Sequence, residues 1–112
     1  MIQIETERVW RVLNKTIERI RMMERYFDML QEIAITDPNA LREGGSSAQM
    51  LQTLARYYEN GQWLRDYELD EQGLLPQNLK RGVLSQDALY AFLEIWLPGT
   101  AAPEQENGGA IF

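Results

Sequence analysis

The chain has 112 residues, of which 45% are hydrophobic and 25% charged, as in a single ordinary globular domain. It contains no cysteine and no histidine, which excludes disulfides, thiolate nucleophiles, imidazole bases and the usual zinc ligands. A metal site would need oxygen ligands alone, and a catalytic acid or base would have to be Asp, Glu, Lys or Tyr.

The net charge of -6 is unevenly distributed along the chain. Residues 1–35 are neutral in sum, so the whole negative excess falls in residues 36–112. An acidic body disfavours direct binding to nucleic acid and suits a basic protein partner. No segment approaches the length of a membrane span, and the N-terminal stretch carries acids where a secretory signal carries bases. We therefore expect a cytoplasmic protein that does not associate with membranes.

A long first helix is predicted over residues 5–35, which contain neither Gly nor Pro. Its stripe steps alternately by four and three residues, as in a heptad repeat, through Val9, Leu13, Thr16, Ile20, Met23, Phe27, Leu30 and Ala34. About thirty helical residues form a rod of about 45 Å, which is long for so small a domain. The stripe is therefore either the core of its own bundle or, in part, a homodimer seam. In the second case Leu13, Ile20 and Phe27 bind the partner.

Pro38 ends this helix because proline disfavours helical geometry at the residue before it and has no backbone N–H. The serines of the flexible loop 44–47 are predicted to cap a second helix that extends to about Asn60. Gly61 suits a left-handed helix terminator. The simplest arrangement folds the second helix back on the first as an antiparallel hairpin.

The middle of the chain shows only partial alternation from Trp63 to Leu69, followed by an acidic turn at residues 70–73. We predict packed but irregular backbone there, then one helical turn at residues 77–81. Ser85 is expected to cap a short third helix that Pro98 stops. Its buried face is predicted to hold Ala88, Leu89, Phe92, Leu93 and Trp96.

The predicted fold class is therefore mainly α. A single helical domain covers residues 1–98, and residues 99–112 form a flexible C-terminal tail unless Ile111 and Phe112 dock on the domain.

Three segments carry a family resemblance: ERIRMMERYFDMLQE (residues 18–32), LARYYENGQWLRDYELDEQGLLP (54–76) and LKRGVLSQDALYAFLE (79–94). Together they resemble a family of small bacterial proteins catalogued as domain of unknown function 4298. The resemblance implies a compact, mostly helical, bacterial cytosolic domain. It implies no reaction, no ligand and no functional residues.

The acids Asp66, Glu68, Asp70 and Glu71 suggest a calcium loop at first sight, but such a loop needs Gly at its sixth position and Glu at its twelfth. The chain has Glu71 and Gln77 at those positions. We therefore predict a solvent-exposed acidic turn, no metal and no cofactor. The bases Lys80 and Arg81 either neutralise these acids across the fold or bind an external anion.

The aromatic residues leave two alternatives, since Tyr and Trp are frequent both in cores and at binding sites. Trp63 and Tyr67 either clamp the middle segment onto the helices or border a groove for a partner peptide. The favoured function is a non-catalytic protein–protein interaction module of a bacterial or phage protein, with a homodimer as one form. The alternative is an acidic inhibitor that blocks a basic nucleic-acid-binding surface of a partner. The candidate partner-binding residues are Leu13, Ile20, Phe27, Trp63, Tyr67, Asp66, Glu68, Asp70, Glu71, Lys80 and Arg81.

Overall fold

The computed structural model describes the backbone of residues 2–97 and the side chains of residues 7–97. This part of the chain contains four α-helices and no strand, which confirms the mainly α prediction. The helices are α1 (Ile2–Thr36), α2 (Ser46–Glu59), α3 (Gln62–Glu71) and α4 (Gln86–Trp96), with 3-10 turns at Pro38–Leu41 and Gly82–Leu84. The predicted flexible tail, the stop at Pro98 and the docking of Ile111 and Phe112 lie outside the described residues.

Helix α1 ends at Thr36, two residues before Pro38, as predicted. Its 35 residues measure about 52 Å at 1.5 Å per residue, close to the longest dimension of the molecule, 56 Å. The central part of the heptad stripe faces the core, where Ile20, Met23, Phe27 and Leu30 are buried. The stripe therefore serves as the bundle core over this length.

Helix α2 contacts α1 and contributes Leu51, Leu54, Ala55 and Tyr57 to the same core. The prediction of a serine cap at its start is wrong. Gly45 occupies the N-cap position, and no side chain caps the helix. Gly61 does adopt the left-handed conformation predicted for it, with φ of 95°, and only Asn60 and Gly61 separate α2 from α3. The antiparallel arrangement of α1 and α2 stays a prediction.

Helix α3 is the main difference from the sequence analysis, which predicted irregular backbone from Trp63 to Leu69 and an acidic turn after it. The helix continues through Glu71, and Trp63 and Asp66 lie on its buried side. These two residues are three positions apart, a spacing that places side chains on one face of a helix. The helical spacing therefore prevails over the partial alternation from Trp63 to Leu69, and α4 is the fourth helix rather than the third.

The connection from α3 to α4 has little regular structure, and its 3-10 turn lies at Gly82–Leu84 rather than at residues 77–81. Leu75, Leu79, Val83 and Leu84 are nevertheless buried, so the connection belongs to the core. Ser85 caps α4 as predicted, since its hydroxyl accepts a hydrogen bond from the Ala88 backbone N–H at 3.4 Å. The side chain of Ala88 is exposed, contrary to its predicted place on the buried face.

Among the described residues, no helix is both long enough and apolar enough to cross a membrane.

Candidate interaction surface

The predicted partner-binding residues divide into buried and exposed sets. Ile20, Phe27, Trp63 and Asp66 lie inside the fold, so they are not available to a partner in this conformation. Leu13, Tyr67, Asp70 and Arg81 are half-buried, and Glu68, Glu71 and Lys80 are exposed. The structure does not gather these residues into one surface.

Asp66 is fully buried on α3, which contradicts its predicted place in a solvent-exposed turn. Its carboxylate accepts two hydrogen bonds from Arg19 of α1, at 2.7 Å from Nη2 and 3.0 Å from Nε, and one from the Tyr57 hydroxyl at 2.7 Å. Arg19 also donates to the hydroxyl of the buried Thr16 at 3.2 Å. Because a buried carboxylate is costly unless paired and hydrogen-bonded, this network explains how Asp66 is accommodated. It joins α1, α2 and α3.

Burial raises the pKa of Tyr57 well above its ordinary value, and the hydrogen bond to Asp66 adds to the effect. The unfolded chain loses this phenolic proton above about pH 10, whereas the folded chain keeps it. The stabilisation is therefore complete below that pH and decreases as the pH rises, by up to about 1.4 kcal/mol per pH unit for one group.

We expect the free energy of unfolding to fall more steeply above about pH 10 in the wild type than in Tyr57→Phe. Urea unfolding of both chains across the alkaline range measures the difference. If the free energy of unfolding falls equally steeply with pH in both chains, Tyr57 does not cause the alkaline loss of stability.

The 3-10 turn at Gly82–Leu84 is held through both backbone groups of Val83. The Val83 N–H donates to the buried carboxylate of Glu24 on α1 at 2.7 Å, and the Val83 carbonyl accepts from Trp63 Nε1 on α3 at 2.9 Å. Gly82 leaves room for this carboxylate, since a Cβ there would lie 3.1 Å from Glu24 Oε2. Sequence reasoning missed the role of Glu24, whose partner is 59 residues away in the chain.

The Arg81 side chain forms hydrogen bonds within its own chain. Its Nε donates to both carboxylate oxygens of Asp70, at 3.0 and 3.1 Å, which agrees with the predicted neutralisation of the acidic run. Its other nitrogens donate to the backbone carbonyls of Pro76, Gln77 and Leu79. Lys80 instead pairs with Asp28 on α1 at 2.9 Å, and both side chains remain largely exposed. The two bases therefore take separate partners within the chain.

The aromatic residues of the middle segment mainly serve the core. Trp63 is buried, and Tyr67 stacks on it with the ring centroids 5.1 Å apart and the planes at 14°. Tyr58 meets Trp63 edge to face at 5.3 Å. These contacts correspond to the predicted clamp of aromatic residues on the helices.

The N-terminal part of α1 is exposed rather than packed in the core. From residue 7 to residue 12 every side chain is exposed, including Val9, Trp10 and Val12. Trp10 is 64% exposed. Leu13, half-buried, is the first residue of this stretch to pack against the core. We call residues 7–13 the α1 tip. It extends past the folded body and carries exposed apolar side chains.

The family model described as Domain of unknown function (DUF4298) matches residues 20–95. The chain belongs to the DUF4298 family. No curated protein and no solved structure matches the chain.

The DUF4298 match begins at Ile20, so it covers the buried core and excludes the α1 tip. It includes Asp66 and Tyr57 of the buried network, whereas Arg19 lies one residue before the matched range. The exposed apolar residues at the tip are thus an addition to the part of the chain that the DUF4298 family model describes.

Among the residues that the structure describes, no group of three or more acidic side chains is placed to hold a metal ion. An open groove of about 540 Å³ lies between α2 and the C-terminal end of α4, lined in part by Leu51, Ile95 and Leu97. Its wall includes Trp96, whose ring packs under the Arg42 guanidinium at 4.7 Å.

Proposed function

We infer that this DUF4298 protein is a non-catalytic, cytosolic interaction module of bacterial or phage origin, which binds a protein partner through the α1 tip. The supporting observation is the exposure of Val9, Trp10 and Val12 on a helix whose next two turns enter the core. Exposed apolar residues that lie together on a surface are typical of interaction sites, and Trp is enriched among the residues that contribute most to binding.

The non-catalytic part of the proposal is supported by the hydrogen bonds that the groups with a shifted pKa form within the chain. The pKa of Arg19, of Tyr57 and of Lys80 is raised, and each of these groups donates a hydrogen bond to a carboxylate of its own chain. A perturbed pKa in a cleft can mark a reactive group. Here burial, with the hydrogen bond to Asp66, raises the pKa of Tyr57, and the hydrogen bonds to Asp66 and Asp28 raise the pKa of Arg19 and of Lys80, so structural roles explain the three shifts.

The chemistry of the α1 tip favours an amphipathic helix as the partner. Val9 and Leu13 are four residues apart and continue the heptad stripe, while Trp10 and Val12 widen it on both sides. A second helix can pack along such a face with its own apolar residues at three- and four-residue spacing. Because the exposed Arg8 and Arg11 outnumber Glu7 within the tip, acidic residues at the borders of the partner helix would complement it.

We expect Trp10→Ser to weaken partner binding about 30-fold or more, because a Trp that is buried on binding commonly contributes 2 kcal/mol or more to an interface. The matched control is Ile35→Ser, which removes an even more exposed apolar side chain, 83% accessible, from the other end of the same helix. A photo-crosslinking residue at position 10 or at position 35 identifies the partner in a bacterial lysate. Competitive pulldown with each variant then measures affinity for that partner.

A specific adduct from position 10 that is absent from position 35, together with loss of binding only in Trp10→Ser, supports the proposal. Equal adducts from both positions, or equal affinity in the two serine variants, would contradict it. The pulldown is repeated at high salt because an apolar contact resists screening and contacts between surface charges do not.

The acidic inhibitor remains the second candidate, favoured by the exposed Glu68 and Glu71 on α3 and by the negative excess after residue 35. Two acids of the same run, Asp66 and Asp70, are paired with Arg19 and Arg81, which reduces the charge available to a basic partner. Salt-sensitive capture of a basic nucleic-acid-binding protein that Trp10→Ser leaves unchanged would favour the inhibitor over the module.

A further inference from the structure

Helix α1 carries a second apolar stripe that borders the core stripe. Met22, Tyr26, Met29 and Ile33 follow one another at spacings of four, three and four residues. At about 100° per residue they fall within an arc of about 60° on the helix surface. Met22 is 38% exposed and Met29 48%, while Tyr26 and Ile33 are half-buried against the edge of the core. We call these residues the outer stripe.

The outer stripe lies on the flank of α1, where Met22 and Met29 are exposed while Tyr26 and Ile33 pack against the edge of the core. The core residues of α1, such as Ile20 and Phe27, are centred about 120° around the helix from it. Two copies of α1 could pack antiparallel along their outer stripes, and the two-fold axis would then place both bodies on the same side of the helix pair.

Charges beside the outer stripe define a self-complementary arrangement. Arg25 and Glu32 are both exposed and lie on the border of the stripe that is remote from the core. Within the described part of the chain, neither forms an ion pair. In an antiparallel pair of identical helices, residues on this border face their counterparts across a two-fold axis. Pairing Tyr26 with Met29 of the second copy also places Arg25 near Glu32 of that copy, and the symmetry repeats the contact.

We propose that the outer stripe binds a second copy of this chain, forming an antiparallel α1–α1 homodimer with Tyr26 and Met29 at its centre. The inference rests on the interaction role proposed above and names one partner for it. The geometry offers two Tyr–Met contacts, in which the thioether sulfur packs against an aromatic ring. It also supplies two Arg25–Glu32 ion pairs. The interface is small, so the dissociation constant is expected to be on the order of 10 μM.

The test is sedimentation equilibrium of the full chain over a range of concentrations. Met29→Glu places two new charges at the centre of the interface and is expected to weaken the dimer at least tenfold. Leu64→Glu, the same type of substitution at a similarly exposed residue, 50% accessible on α3, is expected to leave the dimer unchanged.

A charge exchange tests the register of the two helices. Arg25→Glu alone is expected to weaken the dimer several-fold, because it places like charges together across the axis. Adding Glu32→Arg in the same chain restores opposite charges and is expected to restore the dimer. A dimer that Met29→Glu does not weaken, or a double variant no better than Arg25→Glu, would overturn the antiparallel arrangement.

Different experimental outcomes would contradict the proposed interaction role of the α1 tip and the proposed homodimer. A dimer abolished by Trp10→Ser but not by Met29→Glu would overturn the outer-stripe assignment and leave an interaction role for the α1 tip. A wild-type chain that stays monomeric up to about 1 mM would overturn the homodimer, while partner capture at position 10 would still support the interaction module.

Discussion

Arg19→Met is expected to lower the free energy of unfolding by about 3 kcal/mol, because it leaves the buried carboxylate of Asp66 with only the Tyr57 hydroxyl as a donor. Methionine keeps much of the apolar stem of arginine, so the loss reports mainly the missing hydrogen bonds and charge. The Arg19 side chain is 27% exposed, which places the expected loss at the lower end of the range for buried pairs. Urea unfolding followed by circular dichroism measures it.

Two further variants show whether the charge of Asp66 causes this loss. Lys80→Met breaks the exposed ion pair with Asp28 and is expected to change stability little. Arg19→Met combined with Asp66→Leu removes both buried charges and should recover much of the lost stability, because apolar replacements of a buried pair are often well tolerated. An Arg19→Met variant no less stable than Lys80→Met would show that the network contributes little to folding.

Ile20→Ala is expected to lower the free energy of unfolding by about 2 to 5 kcal/mol, since it opens a cavity where the side chain is fully buried. Val9→Ala changes a residue of the same heptad stripe, but Val9 is exposed, so the effect should stay within about 0.5 kcal/mol. Thermal or urea unfolding of both variants compares the exposed start of the stripe with its buried middle. Similar losses at both positions would show that the α1 tip packs against the body.

The sequence was sufficient to predict α1, α2 and α4 because local signals define them. A heptad stripe without Gly or Pro specifies α1, Gly61 marks the end of α2, and Ser85 marks the start of α4. These signals depend on residues a few positions apart and on backbone preferences that act before any tertiary contact forms. The family resemblance added the DUF4298 assignment but no site.

The sequence was not sufficient for α3 or for the buried network, because both depend on distant partners. The ion pair partner of Asp66 is 47 residues away, so nothing near Asp66 indicates that its charge is compensated. The acids that follow it suggested an exposed turn. Trp63 and Asp66 do have a helical spacing, and Gly61 just before them permits a helix to begin. That spacing was the available signal, and the partial alternation from Trp63 to Leu69 obscured it.

The candidate interaction surface was predicted in part. Helix α1 was identified as long enough to extend beyond the rest of the domain, and its tip does so. The stripe alone could not show where the core ends, because Val9 and Ile20 are chemically similar and occupy the same face. Their difference in exposure arises because the rest of the fold covers α1 only from about Leu13 onward.

Two sets of hydrogen bonds fix the length of the connection between α3 and α4. Val83 is held at both of its backbone groups, and Arg81 donates to the carbonyls of Pro76, Gln77 and Leu79. Surface loops usually accept inserted residues at little cost, but an insertion here would displace either Val83 from Glu24 and Trp63 or Arg81 from its carbonyls. The loop at Gly44 and Gly45 is less crowded than this connection, since added side-chain atoms there would meet nothing within 4 Å. A fluorescent label or affinity tag is therefore better inserted between these two glycines than anywhere in the connection that follows α3.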